Sequence, residues 1–257
     1  MRILTAPRDV GELPTLRLSG NDVVFIDSDL HLGQFGASTS FSLKAESTIK
    51  PTHVVINGDL THTRSHLYDQ SGLLASEQMY VDRRNVQSRY TPTIWLPGDH
   101  DEFIPGKQKR PSILSDEIAI VPAIKIITSR HAILVVHGHA FDTFYGKGGM
   151  ASFLFLPIYY KLRALAVKSD RAKLVIQSIK NHSIYRREFN TMCARAAAEA
   201  IAYNCNIVII GHTHKVGIRR VFDKRTRMKV KVISPGGSID QNFFAIVTNN
   251  GVKLFGI

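Results

Sequence analysis

Five times along this chain a short run of β-branched and apolar residues ends and is followed at once by aspartate or histidine. Val23-Val24-Phe25-Ile26 leads into Asp29 and His31, and His53-Val54-Val55-Ile56 into Asp59. Thr93-Ile94-Trp95-Leu96 leads into Asp99, His100 and Asp101, and Ala132-Ile133-Leu134-Val135-Val136 into His137. Ile207-Val208-Ile209-Ile210 leads into Gly211-His212-Thr213-His214. Runs of this length and composition read as buried strands, and the loops just beyond strand ends are where an α/β chain carries its ligands. A single His-x-His loop is more often a surface pair; four further loops of the same kind change that reading.

The local chemistry is consistent with a shared centre. On an extended segment Asp29 and His31 project the same way, because side chains alternate with a period of two. The same two residues could instead cap a helix over residues 38–49. Gly58 permits the tight backbone that brings Asp59 close. Imidazoles two residues apart on a glycine-led turn, as in His212 and His214, can point at two centres, and neutral imidazole ligates mid-size divalent metals.

The rest of the chain reads as a single unit, 1–257, with no repeat or linker to divide it. A 257-residue chain that is 44% hydrophobic and 21% charged has ample core and is not a disordered protein. Helices are expected within 69–90, on the surface, and over 183–204. In the second, Phe189, Met192, Cys193, Ala196, Ala197, Ala200 and Ile201 recur at helical spacing. Strands follow at 216–221, 228–233, 243–247 and 251–255. The glycine-rich stretch 145–149 has neither the strand nor the Lys-Ser/Thr ending of a phosphate cradle and reads as a hinge. The aromatic stretch 150–160 runs into a basic one and reads as core or as a segment lying on lipid or over an amphiphilic substrate.

Residues 1–18 lack the apolar core of a signal peptide, and no run reaches the roughly 18 apolar residues of a membrane span. Cys193 and Cys205, placed on one helix, would stand about 18 Å apart and could not pair, which suits a reducing, cytoplasmic setting. The net charge of +12 is uneven: residues 161–187 hold eight Lys/Arg against one acid, and residues 215–231 again eight against one. One basic run is usually a solvated face. Two runs flanking the His212/His214 turn point to a polyanionic partner: a phosphorylated metabolite, nucleic acid or an acidic lipid surface.

Carboxylate and imidazole without thiolate suit Mn²⁺, Fe or Zn²⁺ better than Mg²⁺ or Ca²⁺. Seven ligands, Asp29, His31, Asp59, Asp99, His137, His212 and His214, exceed what one open metal site needs. Two metals sharing a carboxylate about 3.5–4 Å apart would use them and could clamp both oxygens of an in-line phosphoryl displacement.

In Ser28-Asp29-Leu30-His31, Gly58-Asp59, Gly98-Asp99-His100-Asp101, His137 and Gly211-His212-Thr213-His214 the chain resembles the calcineurin-like metallophosphoesterases. Ser28-Asp29-Leu30-His31-Leu32-Gly33, then His137, Gly138, Phe141 and Asp142, and a helical insert at about 141–190 are most similar to the UDP-2,3-diacylglucosamine hydrolase branch. The resemblance implies an α/β fold: a two-sheet β-sandwich flanked by helices in four layers, αββα. It implies one metal on Asp29, His31 and His214, another on Asp99, His137 and His212, and Asp59 bridging. The metals would be Mn, with Fe and Zn as alternatives. His100 would sit near the scissile phosphate and protonate the leaving group or stabilise the charge that develops, with Asp101 orienting it. The implied activity is hydrolysis of a phosphoester or pyrophosphate bond, in an anionic small molecule such as a nucleotide sugar or in a lipid-linked substrate reached by peripheral membrane contact. The alternatives are a metal-dependent nuclease, which the basic runs favour, and a non-catalytic binding or scaffold protein. Two departures favour the last: Asp99 stands where the family has Asn, and His62 where it often has a carboxylate.

Overall fold

In the computed structural model, described for residues 12–32, 39–60, 75–101, 115–142, 183–237 and 242–256 and for residues 169, 171, 174, 175 and 178, twelve strands form two six-stranded sheets. The continuous apolar runs are buried on both faces, so alternate residues of one strand enter different cores. In β2 (Val23–Ser28), Val24 and Ile26 pack between the sheets while Phe25 faces outward into a helix-covered core.

The first sheet is built on β2, β3 (His53–Asn57), β4 (Thr93–Leu96) and β5 (Ala119–Ile120), all parallel. It is completed on the other side of β2 by antiparallel β11 (Phe243–Thr248) and β12 (Gly251–Gly256). The second has the order β1 (Thr15–Arg17), β6 (Ala123–Ile127), β7 (Ala132–Val136), β8 (Ile207–Ile210), β10 (Lys229–Ser234), β9 (Gly217–Phe222), with β7, β8 and β10 mutually parallel. Val24, Ile26, Val55 and Leu96 of one sheet meet Ile133, Val135, Ile207, Ile209 and Ile233 of the other. The outer face of the first sheet is covered by α1 (Ser40–Ile49) and α2 (Ala75–Gln87), that of the second by α3 (Ser183–Ala202). This is the αββα sandwich that the family resemblance implies.

Two expectations change. The three-residue β1 carries no apolar signal, and only its parallel pairing with β6 makes it a strand. The helix expected on the surface within 69–90 is α2, and it is not a surface helix throughout. Tyr80, Val81 and Arg84 are fully buried, whereas Met79 and Val86 are more than half exposed. Arg84 is tolerated inside because it meets Glu46 of α1 through two bonds of 3.1 and 2.7 Å and reaches the Tyr80 hydroxyl at 3.2 Å. Cys193 lies on α3 and Cys205 beyond its end; both are free and buried. Among the described residues no helix is long and apolar enough to cross a membrane. His62, the glycine-rich stretch 145–149 and most of the expected insert lie outside the described residues, while its last residues, 183–190, form the start of α3.

Candidate metal centre

All five polar loops leave the C-terminal ends of strands: β2, β3 and β4 in one sheet, β7 and β8 in the other. Pairing continues past the strand ends. Asp29 N–H donates to Gly58 O at 3.2 Å, His31 N–H to Asp59 O at 2.7 Å, and Gly211 N–H to His137 O at 2.8 Å. The sheets are then sewn together by the site itself: His212 N–H, from the second sheet, donates to Asp29 Oδ1, from the first, at 2.8 Å.

The seven residues come together as two overlapping groups. Asp29, His31, Asp59 and His214 place one ligand atom each within 4.8 Å of one another, and so do Asp59, Asp99, His137 and His212. Asp59 belongs to both, and the two histidines of the His-x-His turn fall one in each.

The backbone achieves this in an unexpected way. Asp29 and His31 are not extended; they have φ of 53° and 50°, and Asp59, His212 and His214 also lie in the left-handed region, at 45°, 70° and 51°. Asp and His tolerate this region better than most side chains, yet each instance still costs about 1 kcal/mol or more. Convergence on a point, rather than period-two alternation, is what that backbone provides.

Several residues hold the ligands. His137 Nδ1 faces the Asn57 carbonyl at 3.1 Å, which leaves Nε2 for the centre, 3.4 Å from both Asp59 Oδ1 and Asp99 Oδ1. His212 Nε2 meets Asp142 Oδ2 at 2.8 Å, so Nδ1 faces Asp99 Oδ1 at 2.9 Å. A second hydrogen bond of this kind is what fixes the tautomer and ring direction of a ligating histidine. Ser28 Oγ contacts the Asp29 carboxylate and the Asn57 carbonyl. Asp101 accepts the Gly98 N–H at 2.7 Å and is buried, so it pins the turn that carries Asp99 and His100. Asp142 stood out in the sequence only as a motif residue beside His137, with no role in a site, and the loop after β10 only as a connecting turn. A Cβ at Gly237 in that loop would come within 2.9 Å of His214 Nδ1.

Carboxylates and imidazoles in the centre are coupled to one another. Burial raises the Asp29 carboxyl above its ordinary range. Burial opposes charging His137 and His212, but neighbouring carboxylates outweigh it: Asp59 and Asp99 hold His137 well above an ordinary imidazole, and Asp142 with Asp99 pushes His212 up to about 10. Asp59 and Asp99 are correspondingly driven down, against their burial, by those imidazoles. Asp59 Oδ2 and His137 Nε2 are buried without any hydrogen bond. Three carboxylates packed among imidazoles, with orphaned donor atoms aimed inward, fit divalent metal ions.

His100 sits differently. Its backbone N–H donates to Asp59 Oδ1 at 3.0 Å and its ring stands edge-on to His31, 5.1 Å between centroids. Its side chain and that of Asp99 keep 23% and 29% exposure, whereas Asp29, His31, Asp59 and His137 are sealed. The centre therefore opens to solvent on the His100 side.

No curated protein matches the chain. Among solved structures, Vacuolar Protein Sorting 29 from Cryptosporidium parvum is similar at 14% identity over 92% of each chain, with a TM-score of 0.46. Yfce, a phosphoesterase from E. coli, is similar at 14% identity over 91% of this chain and 92% of its own, with a TM-score of 0.46. An archaeal phosphodiesterase is similar at 11% identity over 91% and 99%, with a TM-score of 0.44. The family model described as Calcineurin-like phosphoesterase matches residues 24–216, a span that takes in all five loops. The chain thus belongs to the calcineurin-like phosphoesterase family.

Proposed function

We propose that the protein is a phosphoesterase working with two divalent metal ions, Mn²⁺ foremost and Fe or Zn²⁺ as alternatives. The observation that carries this is the pair of four-residue ligand groups sharing Asp59. Asp29, His31 and His214 would hold one ion, Asp99, His137 and His212 the other, and Asp59 both. Bound there, the metals would supply Lewis acidity toward the phosphoryl oxygens and the attacking water. The chain's own residues do the rest. Asp142 and the Asn57 carbonyl keep His212 and His137 in the tautomers whose free nitrogens face inward. The Asp101 carboxylate holds the Gly98 turn. His100, on the open side, meets the phosphoester and gives a proton to the leaving oxygen.

The substrate is an anionic phosphoester or pyrophosphate, in the manner of the UDP-2,3-diacylglucosamine hydrolases: a nucleotide sugar or a lipid-linked molecule. The test is hydrolysis of p-nitrophenyl phosphate and bis-p-nitrophenyl phosphate by metal-stripped protein refilled with Mn²⁺. Activity should return with metal and fall about a hundredfold or more in His100→Ala, the usual scale for a positioned proton donor. In Asp59→Asn, metal stoichiometry should fall as well. Two bound metals with no turnover of either ester would refute hydrolysis of simple phosphoesters, and no bound metal would refute the centre.

A further inference from the structure

Three cations stand on the α3 side of the second sheet, the first of them next in sequence to His214. Lys215 directly follows His214, and its ammonium lies 5.2 Å from the centroid of the Phe189 ring on α3. The loop before it is tied to the same helix, because the Tyr185 hydroxyl donates to Thr213 O at 2.5 Å. Arg186 precedes Phe189 by three residues and so shares its face of α3. Arg219 reaches the same place from the edge strand β9. It pairs across the sheet with Val232, and Val221 with Val230, and both β10 valines pack against α3, so Arg219 projects to the α3 side.

Other cations of the second sheet and its helix have partners: Lys125 Nζ donates to Tyr203 O at 2.8 Å and Arg195 Nη1 to Phe141 O at 3.1 Å. Arg186, Lys215 and Arg219 form no ion pair among the described residues, and Arg186 and Arg219 stay exposed. Three like charges held together repel, and an arriving anion relieves them. Arginine forks beside an ammonium also match the geometry of a phosphate group.

Building on the phosphoesterase reading, we propose that Arg186, Lys215 and Arg219 form a second anion site. It holds a phosphate group of the substrate other than the one attacked, so the substrate is a small molecule with at least two phosphoryl groups.

Metal-free protein is used so that no bound metal can hold the pyrophosphate. Calorimetric titration of the metal-free chain with inorganic pyrophosphate should show binding. Lys215→Met and Arg219→Met should each weaken it about tenfold, the scale of a lost charge-assisted hydrogen bond, and Arg219→Lys should recover part of the loss. Lys253→Met, on β12 of the other sheet, should bind like the unaltered chain. Thermal unfolding identifies any variant that has lost its fold. Hydrolysis of p-nitrophenyl phosphate by the Mn²⁺-loaded unaltered protein, run in parallel, reports on the phosphoesterase reading separately. Hydrolysis with no pyrophosphate binding, or with binding indifferent to the substitutions, overturns the second site alone. Binding that needs the three cations in a protein without turnover keeps the site and overturns the phosphoesterase. Tighter binding of a short single-stranded oligonucleotide at equal salt, lost in the same variants, replaces the small molecule with nucleic acid.

Discussion

Asp142 shows how much of the centre depends on residues that are not ligands themselves. Its carboxylate stands 2.8 Å from His212 Nε2 and decides which nitrogen of that ring is left for Asp99 and a metal. Asp142→Asn keeps the volume but can present an N–H to the ring, which favours the wrong tautomer. Metal affinity of the second group should fall about 10–100-fold, measured by chelator competition. Gly98 acts through space rather than charge. A Cβ there would lie 2.1 Å from Asp59 Oδ1, so Gly98→Ala must push the shared carboxylate aside. The expected outcome is loss of metal at both groups by elemental analysis, with an unfolding midpoint close to that of the metal-free parent. The aspartates and histidines themselves were legible as residue types after strand ends. Their left-handed backbone was not, because it is imposed by contacts between loops far apart in the chain.

At the level of elements, α1 and α2 are clamped together by the buried Arg84–Glu46 pair, and the Arg84 guanidinium also lies 5.0 Å from the Tyr80 ring centroid. Removing one charge strands the other in a dry pocket, so Arg84→Met should cost about 3–5 kcal/mol in urea unfolding. Replacing both, with Glu46→Leu added, should recover most of that loss, because neither charge is then left unpaired. The pair also explains why α2 was misread as a surface helix. An arginine in a polar helix signals solvent unless its partner, 38 residues earlier in the chain, is known to be opposite. β1 was missed for a related reason: its parallel pairing with Lys125, Ile126 and Ile127 defines it, and its own residues do not.

For the whole molecule, the metal centre is a joint. Ligands come from both sheets, and the His212 N–H to Asp29 bond already crosses between them. Metals bound there would lock the two halves of the sandwich at one end. At a free metal concentration of about 100 times Kd the linkage is about 2.7 kcal/mol, and for a chain of this size chelation should lower Tm by about 5–10 °C. Scanning calorimetry with and without chelator measures it, and in Asp59→Asn most of that difference should disappear.

The sequence by itself determined the strands that lead into the site, because continuous apolar runs such as Ile207-Val208-Ile209-Ile210 suit burial on both faces. It also determined the donor set, because Asp and His immediately beyond five strand ends have few structural uses in common. Only the tertiary structure decided which donors share a centre, that Asp59 stands in both groups, that Asp142 orients His212, and that Lys215 lies over the Phe189 ring of α3. Those are distances between residues tens to hundreds of positions apart. They are set by the order of strands in two sheets and the way the sheets pack, which local periodicity does not encode.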